Sequence, residues 1–70
     1  MIINTVNSTY KVTPHIDYFL VEKIAEKRPN LNGIDIGWVH KTCFIEVLIG
    51  HFAKFGTIHT SKVLEVLDEA

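Results

Sequence analysis

The residues best suited to chemistry in this sequence are a single cysteine and four histidines, of which His15 stands apart from the rest. His40 and Cys43 are three positions apart, a spacing that puts two metal ligands on one face of a helix. A third ligand from His51 would lie about two turns further along, and His59 could join only if the chain folded back. No known zinc spacing is met, so we expect no metal site and no cofactor.

The same pair could also act as a nucleophile and its base, because His40 and Cys43 would project only about 60° apart around a helix. A catalyst needs more than this pair, and the sequence places no Asp or Asn on that face to orient the histidine. The glycines match neither a phosphate-binding loop nor a dinucleotide fingerprint. We therefore expect the chain not to be an enzyme.

The composition indicates one small globular domain, residues 1–70. Hydrophobic residues make up 47% and charged residues 21%, which is far from the composition of disordered chains. The formal net charge is −1 and the seven basic residues are scattered, so there is no concentrated cationic patch for nucleic acid. A chain this short has a poor ratio of surface to volume, which favours self-association.

The sequence shows no targeting signal, which predicts a cytoplasmic location. One cysteine excludes an internal disulfide, the usual support of small secreted domains. The first ten residues have neither a basic start nor a long apolar run, and the longest aliphatic run is only residues 47–49. We expect no signal peptide, no membrane span and a cytoplasmic location.

The elements that must position these side chains begin with a hairpin. Residues 2–13 are rich in β-branched residues around a turn at Asn7 and Ser8, which predicts two short strands. Thr13 and Pro14 then form a helix start, and apolar residues recur at helical spacing until the basic residues before Pro29. A loop over residues 30–33 follows.

A long central helix is the main prediction for the second half. With Asp35 as its N-cap, the helix would cover residues 36–55 and carry apolar stripes on two sides. Thr60 would cap a final helix with Val63, Leu64 and Leu67 facing inward. The predicted fold class is therefore α+β and mostly helical, an N-terminal β-hairpin followed by three helices.

One stripe of the long helix is the candidate protein interface, because small residues with an aromatic and polar rim are typical of contact surfaces. Its members are Val39, His40, Cys43, Phe44, Val47, Gly50 and His51. The alternative is that the hairpin and the shorter helices cover this stripe and make it part of the core. The residues do not decide between the two.

The function expected from these features is a non-enzymatic accessory or inhibitory protein, of a kind encoded by phages and mobile elements, that binds another protein as a homodimer. The alternative is a small DNA-binding regulator. Residues 51–68 resemble a helix-turn-helix in outline, and Thr60, Ser61 and Lys62 would open its recognition helix. Only one cation stands on that helix, which makes nucleic acid the less favoured partner.

Overall fold

The chain forms one antiparallel sheet of seven strands in the computed structural model, which describes residues 1–28 and 33–68. The strands are β1 (Ile2–Thr5), β2 (Ser8–Pro14), β3 (Phe19–Glu26), β4 (Val39–Thr42), β5 (Ile45–Glu46), β6 (Phe52–Phe55) and β7 (Ile58–Leu67). Their order across the sheet is β4-β3-β2-β1-β7-β6-β5. The two edge strands, β4 and β5, are joined by only two residues, so the sheet curls into a half-barrel that brings its edges together.

The predicted fold class is wrong, since the described residues contain strands and no helix. The hairpin at the N-terminus is present, with β1 paired to β2 and its turn at residues 6–7. None of the three predicted helices occurs. The predicted loop Asn30–Gly33 and the helix end at Pro29 lie largely outside the described residues, with only Gly33 inside them.

The first predicted helix is replaced by the end of β2, a turn and β3. In β3 the inward side chains alternate, with Val21 and Lys23 almost fully buried, which is the period of a strand. Two of the apolar residues whose spacing predicted this helix, Ile16 and Ile24, are exposed. Ile16 lies in the β2–β3 turn, and Ile24 is the extra residue of a β-bulge, where the register with β2 shifts.

The predicted long helix is replaced by a tight turn at Gly37, the short strands β4, β5 and β6, and a second tight turn at Gly50 between β5 and β6. Gly37 and Gly50 have φ angles of 94° and 89°, which lie in the left-handed region and do not occur inside an α-helix. The sequence alone shows both glycines, but a helix tolerates glycine at a modest energetic cost, so their presence did not exclude one. The apolar residues of this segment are divided between strands and turns. Ala53 and Phe55 of β6 are buried, whereas Ile36, Leu48 and Ile49 lie outside the strands and are exposed.

The predicted last helix is strand β7, whose inward residues recur every three positions instead of every two. The register between β7 and β6 shifts between His59 and Lys62, and the register with β1 shifts at Leu64. Each shift inserts one extra residue, so Thr60, Val63 and Val66 all reach the inner side. The helix was predicted with Val63, Leu64 and Leu67 facing inward, but of these only Val63 is buried, and Leu64 and Leu67 are exposed.

The core lies inside the curl of the sheet. Its fully buried hydrophobic members are Ile3, Tyr10, Val12, Val21, Ala53, Phe55 and Val63. The rings of Tyr10 and Phe55 meet edge to face with centroids 5.3 Å apart, a favourable geometry that joins β2 to β6. The Lys23 side chain is also buried, and its ammonium donates to Glu26 Oε1 and to the carbonyl of Ile34. Burial of this charge is tolerated because both hydrogen bonds compensate for lost water.

Candidate protein interface

An exposed turn with two large aliphatic side chains is the most unusual surface feature. The backbone N–H of His51 donates to the carbonyl of Leu48 at 3.0 Å, and Gly50 supplies the positive φ that the third position of a type II turn requires. Leu48 and Ile49 precede it and are 55% and 65% exposed. Tight turns usually carry polar residues, and formation of this turn does not require aliphatic side chains. The exposure of Leu48 and Ile49 is therefore not explained by the turn alone. We call residues 48–51 the apolar turn.

The apolar turn is held firmly against β7. The Gly50 N–H donates to the carbonyl of Val63, and the Val63 N–H donates to the carbonyl of His51, both at 2.8 Å. Val63 is itself fully buried in the core. Because two backbone hydrogen bonds join the turn to a core strand, the turn presents its aliphatic side chains from a fixed position, which lowers the entropic cost of binding.

Phe52 continues this apolar surface into a cleft. It follows the turn directly, is 61% exposed, and lies on the outer side of β6, whereas its neighbour Ala53 is buried. The cleft has a volume of about 370 Å³. It is lined by Glu46, Leu48, Gly50, His51, Phe52, Lys54 and Lys62. We call this group the β6 cleft.

The β6 cleft combines an apolar surface with two cations. Phe52 lies opposite Lys62 in the β6–β7 pairing, and Lys54 lies opposite Glu46 on one side and His59 on the other. Among residues 1–28 and 33–68, neither lysine takes part in a salt bridge or a side-chain hydrogen bond. Both ammonium groups are therefore free to bind an anionic group.

A second turn of the same construction occurs between β3 and β4. The Trp38 N–H donates to the carbonyl of Asp35, Gly37 has a positive φ, and Ile36 is exposed. This turn is held to β3 through backbone hydrogen bonds to Lys23. Ile36 is not among the residues that line the β6 cleft, where an exposed turn adjoins an exposed aromatic side chain, so the β6 cleft is the stronger candidate.

The predicted interface residues do not form one stripe, because the helix that would align them does not exist. Gly50 and His51 come together in the β6 cleft. Val47 is partly buried and packs against the core. The remaining residues lie on β4 or in its connection to β5, and they are Val39, His40, Cys43 and Phe44. The interface prediction itself is not tested by this arrangement.

His40 and Cys43 do not share a surface of the kind that the helical spacing implied. The His40 ring stacks on the Trp38 ring with centroids 5.3 Å apart, whereas the Cys43 thiol is exposed in the β4–β5 connection. In the described part of the chain, no group of three or more His, Cys, Asp or Glu side chains is arranged to hold a metal ion.

Two of the three residues proposed for DNA recognition have structural roles. Thr60 is buried, and its Oγ1 accepts a hydrogen bond from the Ala53 N–H, while the Ser61 Oγ accepts one from the Asn7 N–H. Only Lys62 is exposed, and it lines the β6 cleft. The helix-turn-helix architecture is wrong, since residues 51–68 form β6 and β7.

Sequence reasoning missed three central residues of the site: Leu48, Ile49 and Phe52. They fall on the other apolar stripe of the predicted long helix, the one not proposed as an interface, because their spacing matches a helical face. The signal that could have found them is Gly50 directly after two aliphatic residues. Glycine at the third position of a turn would have placed Leu48 and Ile49 at an exposed corner.

Comparison with known proteins does not extend this description: no protein family, no curated protein and no solved structure matches the chain. The described residues also include no helix with the length and apolar character to cross a membrane.

Proposed function

We propose that this chain is a small non-enzymatic accessory or inhibitory protein that works by binding another protein through the apolar turn and Phe52. The observation that supports this proposal is the exposure of three large apolar side chains, Leu48, Ile49 and Phe52, on one rigidly held segment. Contiguous apolar surface of this kind is typical of protein contact sites. Exposing such a surface has a cost, because it also favours aggregation.

The energetic gain from covering these side chains is moderate. Each contributes up to about 1.5–3 kcal/mol when it moves from full exposure to full burial, and they are already 35–45% covered. Association itself costs several kcal/mol in lost freedom, so three such contacts alone give weak binding. Further polar or electrostatic contacts are needed for a stable complex, and the lysines of the β6 cleft are placed to supply them.

A photocrosslinking amino acid at position 49 tests the proposal. Ile16 is the matched control, since it is also an isoleucine exposed in a turn but lies outside the apolar turn and does not line the β6 cleft. In host cells we expect a discrete crosslinked product from position 49 that excess unlabelled protein competes away, and no such product from position 16. Equal labelling from both positions, or none from position 49, would reject the proposal.

The same experiment addresses the homodimer, which stays a proposal. β4 and β5 are the edge strands of the sheet, and an edge strand can pair with a second copy. A crosslinked product of twice the chain mass, together with a dimer mass by light scattering, would identify a second copy as the partner. A cytoplasmic location fits the exposed Cys43 thiol, which a reducing compartment keeps free.

A further inference from the structure

We infer that the β6 cleft recognises an acidic segment of the partner that also carries an apolar side chain. This inference rests on the proposed function and adds the chemical class of the partner. It differs from a purely apolar contact because it assigns Lys54 and Lys62 a role in recognition.

The two lysines flank the aromatic ring at the centre of the cleft. Lys54 is two residues after Phe52 on β6, so both side chains lie on the outer face, and Lys62 is directly opposite Phe52 on β7. If an apolar side chain of the partner packs on the Phe52 ring, carboxylates on neighbouring residues of the same partner segment would lie within reach of both ammonium groups. Neither ammonium has a competing salt bridge among the described residues.

The charge on the cleft favours a short acidic peptide over a nucleic acid. The residues that line the cleft have a formal net charge of +1, from two lysines and one glutamate, when histidine is counted as uncharged. Single-stranded nucleic acids bind grooves that combine many cations with several stacking aromatic rings. The cleft offers only two cations and two rings, those of Phe52 and His51, and Leu48 provides aliphatic surface suited to a leucine or valine side chain.

Selection from a library of random displayed peptides tests this inference with the intact protein as bait. We expect enriched sequences in which aspartate or glutamate adjoins leucine, valine or an aromatic residue. Their affinity should fall as salt rises from about 50 mM to about 300 mM, because exposed charge pairs are screened. Replacing each lysine with glutamine should weaken binding roughly two- to fivefold, the range for exposed ion pairs.

Matched variants separate the two proposals. Lys62→Arg retains the positive charge and should retain affinity, and Lys41→Gln on β4, outside the cleft, should leave affinity unchanged. Enriched peptides that depend on Ile49 and Phe52 but lack acidic residues would overturn this inference and leave the proposed function standing. Absence of any enrichment over an Ile49→Asp, Phe52→Ser bait would overturn both. Tighter binding of an oligothymidine probe than of the enriched peptides at the same lysines would also overturn the inference.

Discussion

Gly56, in the β6–β7 turn, lies directly against Thr42 at the end of β4: a Cβ atom built on Gly56 would be 2.9 Å from the Thr42 Oγ1 atom. The Gly56 N–H also donates to the carbonyl of Phe44 at 2.9 Å. These contacts join the edge of the sheet at β4 to the turn that leads into β7. The close approach therefore fixes the curl of the sheet at the point where its edges meet.

Gly56→Ala should destabilise the protein more than Gly50→Ala. Both glycines have positive φ angles, 64° and 89°, so each substitution costs about 1–2 kcal/mol of backbone strain. Only at position 56 does the new methyl group meet another side chain, which adds roughly 1–3 kcal/mol of overpacking. Chemical denaturation of both variants measures the difference.

Thr42→Ala provides the control for this prediction. In that background the added methyl group no longer meets Oγ1, so Gly56→Ala should lose most of its additional cost. Equal destabilisation by Gly56→Ala in the presence and absence of the threonine side chain would show that the contact does not constrain the turn.

Thr60→Val should destabilise the protein although it preserves shape and volume. The Thr60 Oγ1 accepts a hydrogen bond of 3.0 Å from the N–H of Ala53, a residue with no exposed surface. Valine removes the acceptor and leaves that N–H buried without a partner, at a cost of about 1–3 kcal/mol. Hydrogen exchange should show loss of protection at the Ala53 amide.

The matched control at this position is Thr60→Ser, which keeps the hydroxyl and should keep the Ala53 amide protected. If Thr60→Val left stability and amide protection unchanged, the hydroxyl would not be needed to hold the irregular part of β7 to β6.

The limits of sequence reasoning are clearest in β7 and in the turns. Short apolar segments do not reveal from periodicity alone whether they form strands or helices. The spacing of Val63, Leu64 and Leu67 matches a helical face. The two irregularities of β7 instead turn Thr60, Val63 and Val66 inward. The β6–β7 turn was accessible in principle, because Gly56 followed by Thr57 between β-type residues is a signal for a two-residue hairpin loop.

The N-terminal hairpin could be predicted because its strands contain β-branched residues on both sides of a polar turn. The candidate site could be predicted only in part. Gly50, His51 and Lys62 appear in the sequence-based sets, but in two different hypotheses that assumed different helices. Only the pairing of β6 with β7 places them on one cleft, and such long-range pairing leaves no local pattern in the sequence.

Glu26→Gln should destabilise the protein through the buried lysine it faces. The Lys23 Nζ atom lies 2.8 Å from the Glu26 Oε1 atom, and the lysine side chain is 1% exposed. Removal of the carboxylate charge leaves a buried cation poorly compensated, at a cost of roughly 1–3 kcal/mol because Glu26 is itself 28% exposed. Thermal unfolding measures the loss.

A double-mutant cycle identifies the cause of that loss. Lys23→Met keeps the aliphatic stem and removes the cation, so Glu26→Gln should have little further effect in that background. The same cost in both backgrounds would show that Glu26 stabilises the end of β3 without involving Lys23.

Val47→Asp and Ile49→Asp should have opposite consequences although they are two residues apart. Val47 packs against the core, so a carboxylate there should cost several kcal/mol and unfold much of a domain of this size. Ile49 is 65% exposed, and its replacement should change stability by no more than about 0.5 kcal/mol. Circular dichroism melts separate the two outcomes. An Ile49→Asp variant that keeps its melting temperature and loses binding to the partner would assign the apolar turn to binding. A folded Val47→Asp variant with wild-type stability would contradict the packing of Val47 on the core.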